Sequence, residues 1–353
     1  MAQVKTDNLP TRDATLARPP RESGLAGSMR RAADLLALIY IGVIATVASV
    51  TGAYYVMFPE LGALSWDVME QPRGRWAGSP WMLALTPPLT GVLGTVVTRT
   101  MPYGIISVLI TVAGGVVIIT ALRSPVAPAI SAGLLPLVLG VTSWWYPPGI
   151  LFGSALLAAI SIPWKRYAAS ESFSRTDRNE SIDPPSVAPS PESPPAPGSR
   201  LARILPPQFL PLMAFVAFAV VAVKLTGMRF ILFPPLIVIL YEMLSHRERC
   251  PWIARPIGLP IACFLAAAGG YFFRAHIALA PLAAMLSMAW GIAVLRTFKL
   301  HVPPALAVAL LPMVMTQPTA AYPFAVGLGT TLASAWFTLL DKWIERRPPA
   351  AAS

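Results

Sequence analysis

Asp67 and Glu242 are the carboxylates most able to do chemistry. They stand in matching contexts, Trp66-Asp67-Val68-Met69 and Tyr241-Glu242-Met243-Leu244, each inside a short apolar stretch. A carboxylate near hydrocarbon is costly and faces a cavity, a partner or the interface. Two readings fit: a coupling-ion or proton site, or a surface position beside Arg73 or Arg247. Arg99 and Arg274 form a second matched pair, each ending an apolar segment. A guanidinium fork suits small oxyanions, and an arginine at a segment end also snorkels to the interface. Prolines pair in the same way: Pro59 with Pro234, Pro128 with Pro304, Pro136 with Pro312, Pro147 with Pro323. A proline frees carbonyls and can leave a half-helix end. Matched interruptions in two halves of a chain point to a transporter site, and they also serve simply to kink or end segments. The substrate-binding candidates are therefore Arg99, Arg274, Pro128, Pro303 and Pro304. The ion-coupling candidates are Asp67 and Glu242.

Other residues carry less. His301 can handle protons, yet beside Lys299 at a segment start it reads first as interfacial. Cys250 and Cys263 form no CxxC and have no histidine at ligand spacing, so neither a zinc site nor a disulfide framework is expected. No Walker loop, HExxH, Ser-His-Asp grouping or dinucleotide glycine pattern appears. The expectation is no enzyme, no cofactor and no metal.

The elements that must position these residues are membrane segments. Only 12% of the 353 residues are charged and mean hydropathy is +0.62, against about 25% charged in a soluble domain. The deficit is localised in runs: none of residues 76–98, 100–122 and 124–164 is charged. A helix crossing hydrocarbon needs about 20 apolar residues. The net charge of +11 sits in tails and short loops between apolar runs. That is the distribution that orients a protein in a bilayer and touches anionic lipid, and no nucleic-acid motif accompanies it. The first 30 residues do not resemble a cleaved signal, because the apolar run starts near Leu35 and continues through Phe58.

The chain also repeats itself. Met57-Phe58-Pro59-Glu60-Leu61 is matched by Leu232-Phe233-Pro234-Pro235-Leu236, an offset that also carries Arg99 onto Arg274. One residue further on, Leu134-Leu135-Pro136 falls on Leu310-Leu311-Pro312, and Tyr146-Pro147 on Tyr322-Pro323. Residues 168–203, rich in Ser, Pro, Glu and Arg, read as a disordered linker. The expected organisation is an N-terminal tail 1–32, a first repeat 33–167, the linker 168–203, a second repeat 204–345 and a tail 346–353.

Each half offers six apolar segments, of which the second and fifth are short and contain or follow prolines. They could be thin spans, broken helices or re-entrant hairpins. If all cross, Arg73, Arg75, Arg123, Arg247, Arg249, Arg255, Arg296 and Lys299 lie inside, and Arg99, Lys224, Arg229 and Arg274 outside. The positive-inside rule favours that count. Both tails and the linker are then cytoplasmic, and the repeats are parallel.

The second half has a further likeness. Phe233-Pro234-Pro235-Leu236, His246-Arg247-Glu248-Arg249, Arg255-Pro256-Ile257-Gly258, His301-Val302-Pro303-Pro304-Ala305 and Ala309-Leu310-Leu311-Pro312 follow in order. This resembles the HPP family of membrane proteins, named for a His-Pro-Pro motif, over 230–340 and more weakly over 57–165. Family units are usually drawn with four spans. The resemblance implies a transporter, with nitrite as one solute linked to the family. The expected protein is thus an all-α, polytopic bundle of two pseudo-symmetric repeats in the cell membrane. Its expected function is a secondary transporter or channel for a small solute such as a small anion, bound between the repeats. Its expected partners are membrane lipid and the solute. The alternative is a non-transporting scaffold or sensor that holds a partner through the linker.

Overall fold

The computed structural model describes residues 27–176, 206–246 and 257–345. Among these residues the chain forms twelve α-helices and no strand. The first half contains α1 (Gly27–Thr51), α2 (Glu60–Glu70), α3 (Pro80–Thr100), α4 (Ile105–Ala121), α5 (Ala129–Leu139) and α6 (Tyr146–Thr176). The second contains α7 (Phe209–Thr226), α8 (Pro234–Ser245), α9 (Gly258–His276), α10 (Ala280–Thr297), α11 (Pro304–Leu310) and α12 (Ala321–Glu345). Seven of them, α1, α3, α6, α7, α9, α10 and α12, are long and apolar enough to cross a membrane. The chain is an all-α bundle that fits a multi-pass membrane protein.

Two expected boundaries move. Helix α1 begins at Gly27, inside the stretch read as a tail, and α6 runs on to Thr176, inside the stretch read as linker. The extension of α6 follows from Tyr167-Ala168-Ala169, which suit a helix, and Ala168 is buried. The rest of the linker, both far tails, Cys250, Arg247, Arg249 and Arg255 lie outside the described residues.

The short segments are half-helices. With 11, 11, 12 and 7 residues, α2, α5, α8 and α11 span about 10–18 Å at 1.5 Å per residue, well under a hydrocarbon core of about 30 Å. Proline sets where each begins. Pro59, Pro128 and Pro303 sit at the N-caps of α2, α5 and α11, and Pro234 opens α8. Proline has no N–H and is tolerated at the first turn, where that donor would lack a partner anyway. Irregular backbone leads into each half-helix and completes the path. Val56 packs on Gly149 and Leu61 on Gly153, while Trp164 donates to the Met69 carbonyl. The stretch 54–70 therefore accompanies α6 along most of its length.

Prolines inside helices leave carbonyls without their usual donor four residues on, and the fold supplies substitutes. Pro136 frees the Ala132 carbonyl, which accepts from Tyr146 Oη at 2.7 Å. Pro312 frees the Val308 carbonyl, which accepts from Tyr322 Oη at 2.7 Å. Pro88 in α3 frees the Ala84 carbonyl, which accepts from Ser154 Oγ at 2.9 Å. An unpaired buried carbonyl would cost about 1–3 kcal/mol, so these hydroxyls are what make a proline-broken bundle stable.

The halves interlock. Helix α1 packs on α10 and α7 on α4, while α2 packs on α11 and α5 on α8. Within each half, α3 lies against α5 and α6, and α9 against α11 and α12. A Cβ on Gly94 would stand 1.9 Å from the Gly133 carbonyl oxygen, and one on Gly270 2.0 Å from that of Ala309. Only glycine allows these backbones to touch.

Candidate functional site

One end of the bundle gathers the polar side chains. Arg30 pairs with Glu70 at 3.2 Å, and Arg296 with Asp34 at 2.5 Å, joining α10 to α1. Trp66 Nε1 donates to Asp34 Oδ1 at 3.1 Å, and the Trp66 ring stacks on His301 with centroids 4.8 Å apart. The tryptophan therefore fixes the plane of the imidazole.

His301 is delivered there by the turn that ends α10. Lys299 adopts a positive φ of 52°, its N–H bonds to the Arg296 carbonyl, and the Leu300 N–H bonds to that of Leu295. This is a Schellman closure with a lysine in the left-handed position. Arg123 closes α4 in the same way, with φ 50°. The chain leaves this turn through His301-Val302-Pro303-Pro304 and enters α11.

His301 Nε2 lies 2.9 Å from Asp67 Oδ1 on α2 and 2.8 Å from Gln71 Nε2 one turn on. One ring nitrogen cannot donate to Asp67 and accept from Gln71 at once. If Nε2 carries the proton, it donates to Asp67, and the Gln71 carbonyl oxygen turns toward the ring. If Nε2 faces Gln71 as an acceptor, it has no proton to give Asp67, so the bond to Asp67 requires the first arrangement.

A second histidine–carboxylate pair stands nearby. His246 Nδ1 meets Glu242 Oε2 at 3.0 Å, and Arg75 Nη1 contacts His246 Nε2. Arg75 belongs to the first half and His246 to the second. Between the two pairs lies a cleft of about 150 Å³ lined by Asp67, Gln71, Arg75, Trp76, Glu242, His301, Pro303 and Pro304. At about 30 Å³ per water, it admits a few heavy atoms.

Of the sequence candidates, Asp67, Glu242, Pro303 and Pro304 come together here. Pro128 does not: it is the buried N-cap of α5 and is not among the lining residues. Arg99 and Arg274 are also elsewhere. Helix α3 is about 31 Å long at 1.5 Å per residue; Arg75 precedes its start and Arg99 closes its other end. Arg99 donates to the Thr142 carbonyl at 2.7 Å and lies over the Trp144 ring at 5.5 Å, a surface anchor. Arg274 sits in the last turn of α9.

Gln71, Arg75, His246 and Glu60 were not singled out by sequence as site residues, and His301 was read first as interfacial. Glu60 had a signal: it is the one charged residue between Asp34 and Asp67. It is 1% exposed, and the Ser131 hydroxyl donates to its Oε1.

Comparison with known proteins returns no relative: no family model, curated protein or solved structure matches the chain. The site therefore stands on its own geometry.

Proposed function

We propose that the chain is a membrane transporter or channel for a small polar solute, formed by two duplicated units of the HPP type, with the cleft as its cytoplasmic-side site. The observation that carries this reading is the contact between Asp67 on α2 and His301 ahead of α11. It joins the two halves at the wall of an open cleft, beside the start of a half-helix. Transporter sites are commonly built from such interrupted helices at the interface of two repeats. Rocking of one half against the other would break this contact and the one between Arg75 and His246.

Duplication is supported by the reciprocal packing of α1 on α10 and α7 on α4, and of α2 on α11 and α5 on α8. It is supported too by the matched tyrosine bonds and matched left-handed closures. The HPP reading is supported by position, since His301, Pro303 and Pro304, which carry the resemblance, line the cleft. Orientation follows the charges: Arg30, Arg75, Arg123, Arg296 and Lys299 cluster at the cleft end, which the positive-inside rule assigns to the cytoplasm.

The solute is small and polar. Small-oxyanion binding was expected from Arg99 and Arg274, and nitrite from the HPP resemblance; the two arginines lie at the other end. The cleft instead sets Arg75 and His301 against Asp67 and Glu242. An anion would pair with Arg75 and the histidine N–H groups, and a cation with Asp67 and Glu242. Flux into proteoliposomes of nitrite, nitrate, formate, chloride, bicarbonate and ammonium tests this, with Asp67→Asn and His301→Ala as controls. Saturable flux of one solute, lost in both variants, is the expected result. Flux that persists in both would remove the cleft from the path.

A further inference from the structure

We infer that Glu60 is a proton-binding site at the centre of the bundle, loaded from the cleft through Asp67 and His301. Its coupling role rests on the transport reading above, whereas its protonation does not.

Glu60 opens α2 at mid-depth of the bundle. Its side chain is fully enclosed, Oε1 takes the Ser131 hydroxyl of α5, and Oε2 is buried with no hydrogen-bond partner. Among the described residues no lysine, arginine or histidine forms an ion pair with it. The titratable groups near it are phenols, Tyr146 of α6 and Tyr322 of α12, with Tyr40 on the neighbouring α1. Each phenol proton is already committed to a carbonyl, those of Ala132, Val308 and Gly153 respectively. Helices α5 and α11 present no charged side chain at all. The N-terminal dipole of α2 favours a negative charge only weakly, far less than an unpaired carboxylate loses on leaving water. The carboxyl therefore holds its proton.

Asp67 stands seven residues along the same helix, two turns and about 10 Å away on the same face. It lines the cleft and lies 2.9 Å from His301 Nε2. Between the two carboxyls on that face lie Ala63 and Leu64, both fully buried. Gly62 is tight against Leu310 at the end of α11. A proton leaving the imidazole or Asp67 for Glu60 Oε2, giving a neutral acid there, needs water to enter this seam. That requires α2 to part from α11, the contact between the halves. Proton loading and movement of the halves are thereby one event.

Infrared spectroscopy of the full chain in lipid tests the site without any solute, so it can fail or succeed apart from the transport reading. The expected result at neutral pH is a C=O band of a water-excluded carboxylic acid. It shifts in D2O, is lost in Glu60→Gln, and moves to higher frequency in Ser131→Ala, which removes a hydrogen bond but no carboxyl. Ser131→Ala keeps the test valid if Glu60→Gln fails to insert. Absence of the band, or a band unchanged in both variants, would overturn the proposal.

Discussion

Asp67 and His301 meet at 2.9 Å although 234 positions separate them in the chain. The bond ties α2 of the first half to the entry of α11 in the second, and Trp66, the neighbour of Asp67, stacks on the same imidazole. A charge-assisted pair of this kind contributes about 1.5–3 kcal/mol. Removing either partner alone should therefore lower thermal stability in detergent, and the double variant Asp67→Asn/His301→Ala should lose clearly less than the sum. A strictly additive double variant would mean that the two side chains do not interact in solution.

The tyrosines that satisfy proline-freed carbonyls give a prediction about stability alone. Tyr146→Phe and Tyr322→Phe keep the ring and remove the hydroxyl, leaving Ala132 and Val308 with buried unpaired carbonyls. Each should cost about 1–3 kcal/mol. Because the two contacts are built alike, the costs should match closely. Thermal unfolding of the two variants checks both statements.

Arg99 and Arg274 should matter little to the site. Arg99→Ala removes an exposed bond to the Thr142 carbonyl and a contact with Trp144, worth about 0.5–1 kcal/mol at a surface. Flux through proteoliposomes carrying both alanine substitutions should equal that of the unaltered protein. A loss comparable to that of Asp67→Asn would restore the arginines to the path.

Much of the bundle was legible in the sequence, because hydropathy and charge are local properties. Long uncharged runs read directly as apolar helices, and each of the twelve apolar segments became one helix, seven of them long enough to cross a membrane. The short segments were left open between spans and hairpins, since a proline at a segment start says where a helix begins and not how deep that point lies. Asp67, Glu242 and Pro304 stood out because unusual residues recurred in matched places, and Pro303 through the Pro-Pro pair it forms with Pro304; all four line the cleft. Arg99 and Arg274 recurred too, and lie in the last turns of α3 and α9, away from the residues that line the cleft. His301 reads as interfacial until α2 is known to pack on α11, a long-range pairing that no local pattern encodes. Glu60 stood alone among apolar residues, but its bond to Ser131 and the apolar walls around it come from long-range packing that no local pattern encodes.

The central claim is that solute passes through the cleft between the halves, and a side-specific block tests it most directly. With Cys250 and Cys263 replaced by serine, Gln71→Cys places one thiol on the cleft wall beside His301. An impermeant, bulky thiol reagent added to proteoliposomes of known orientation should stop flux when applied from the cleft side and have no effect from the other. Full flux after complete labelling of residue 71 would contradict the account.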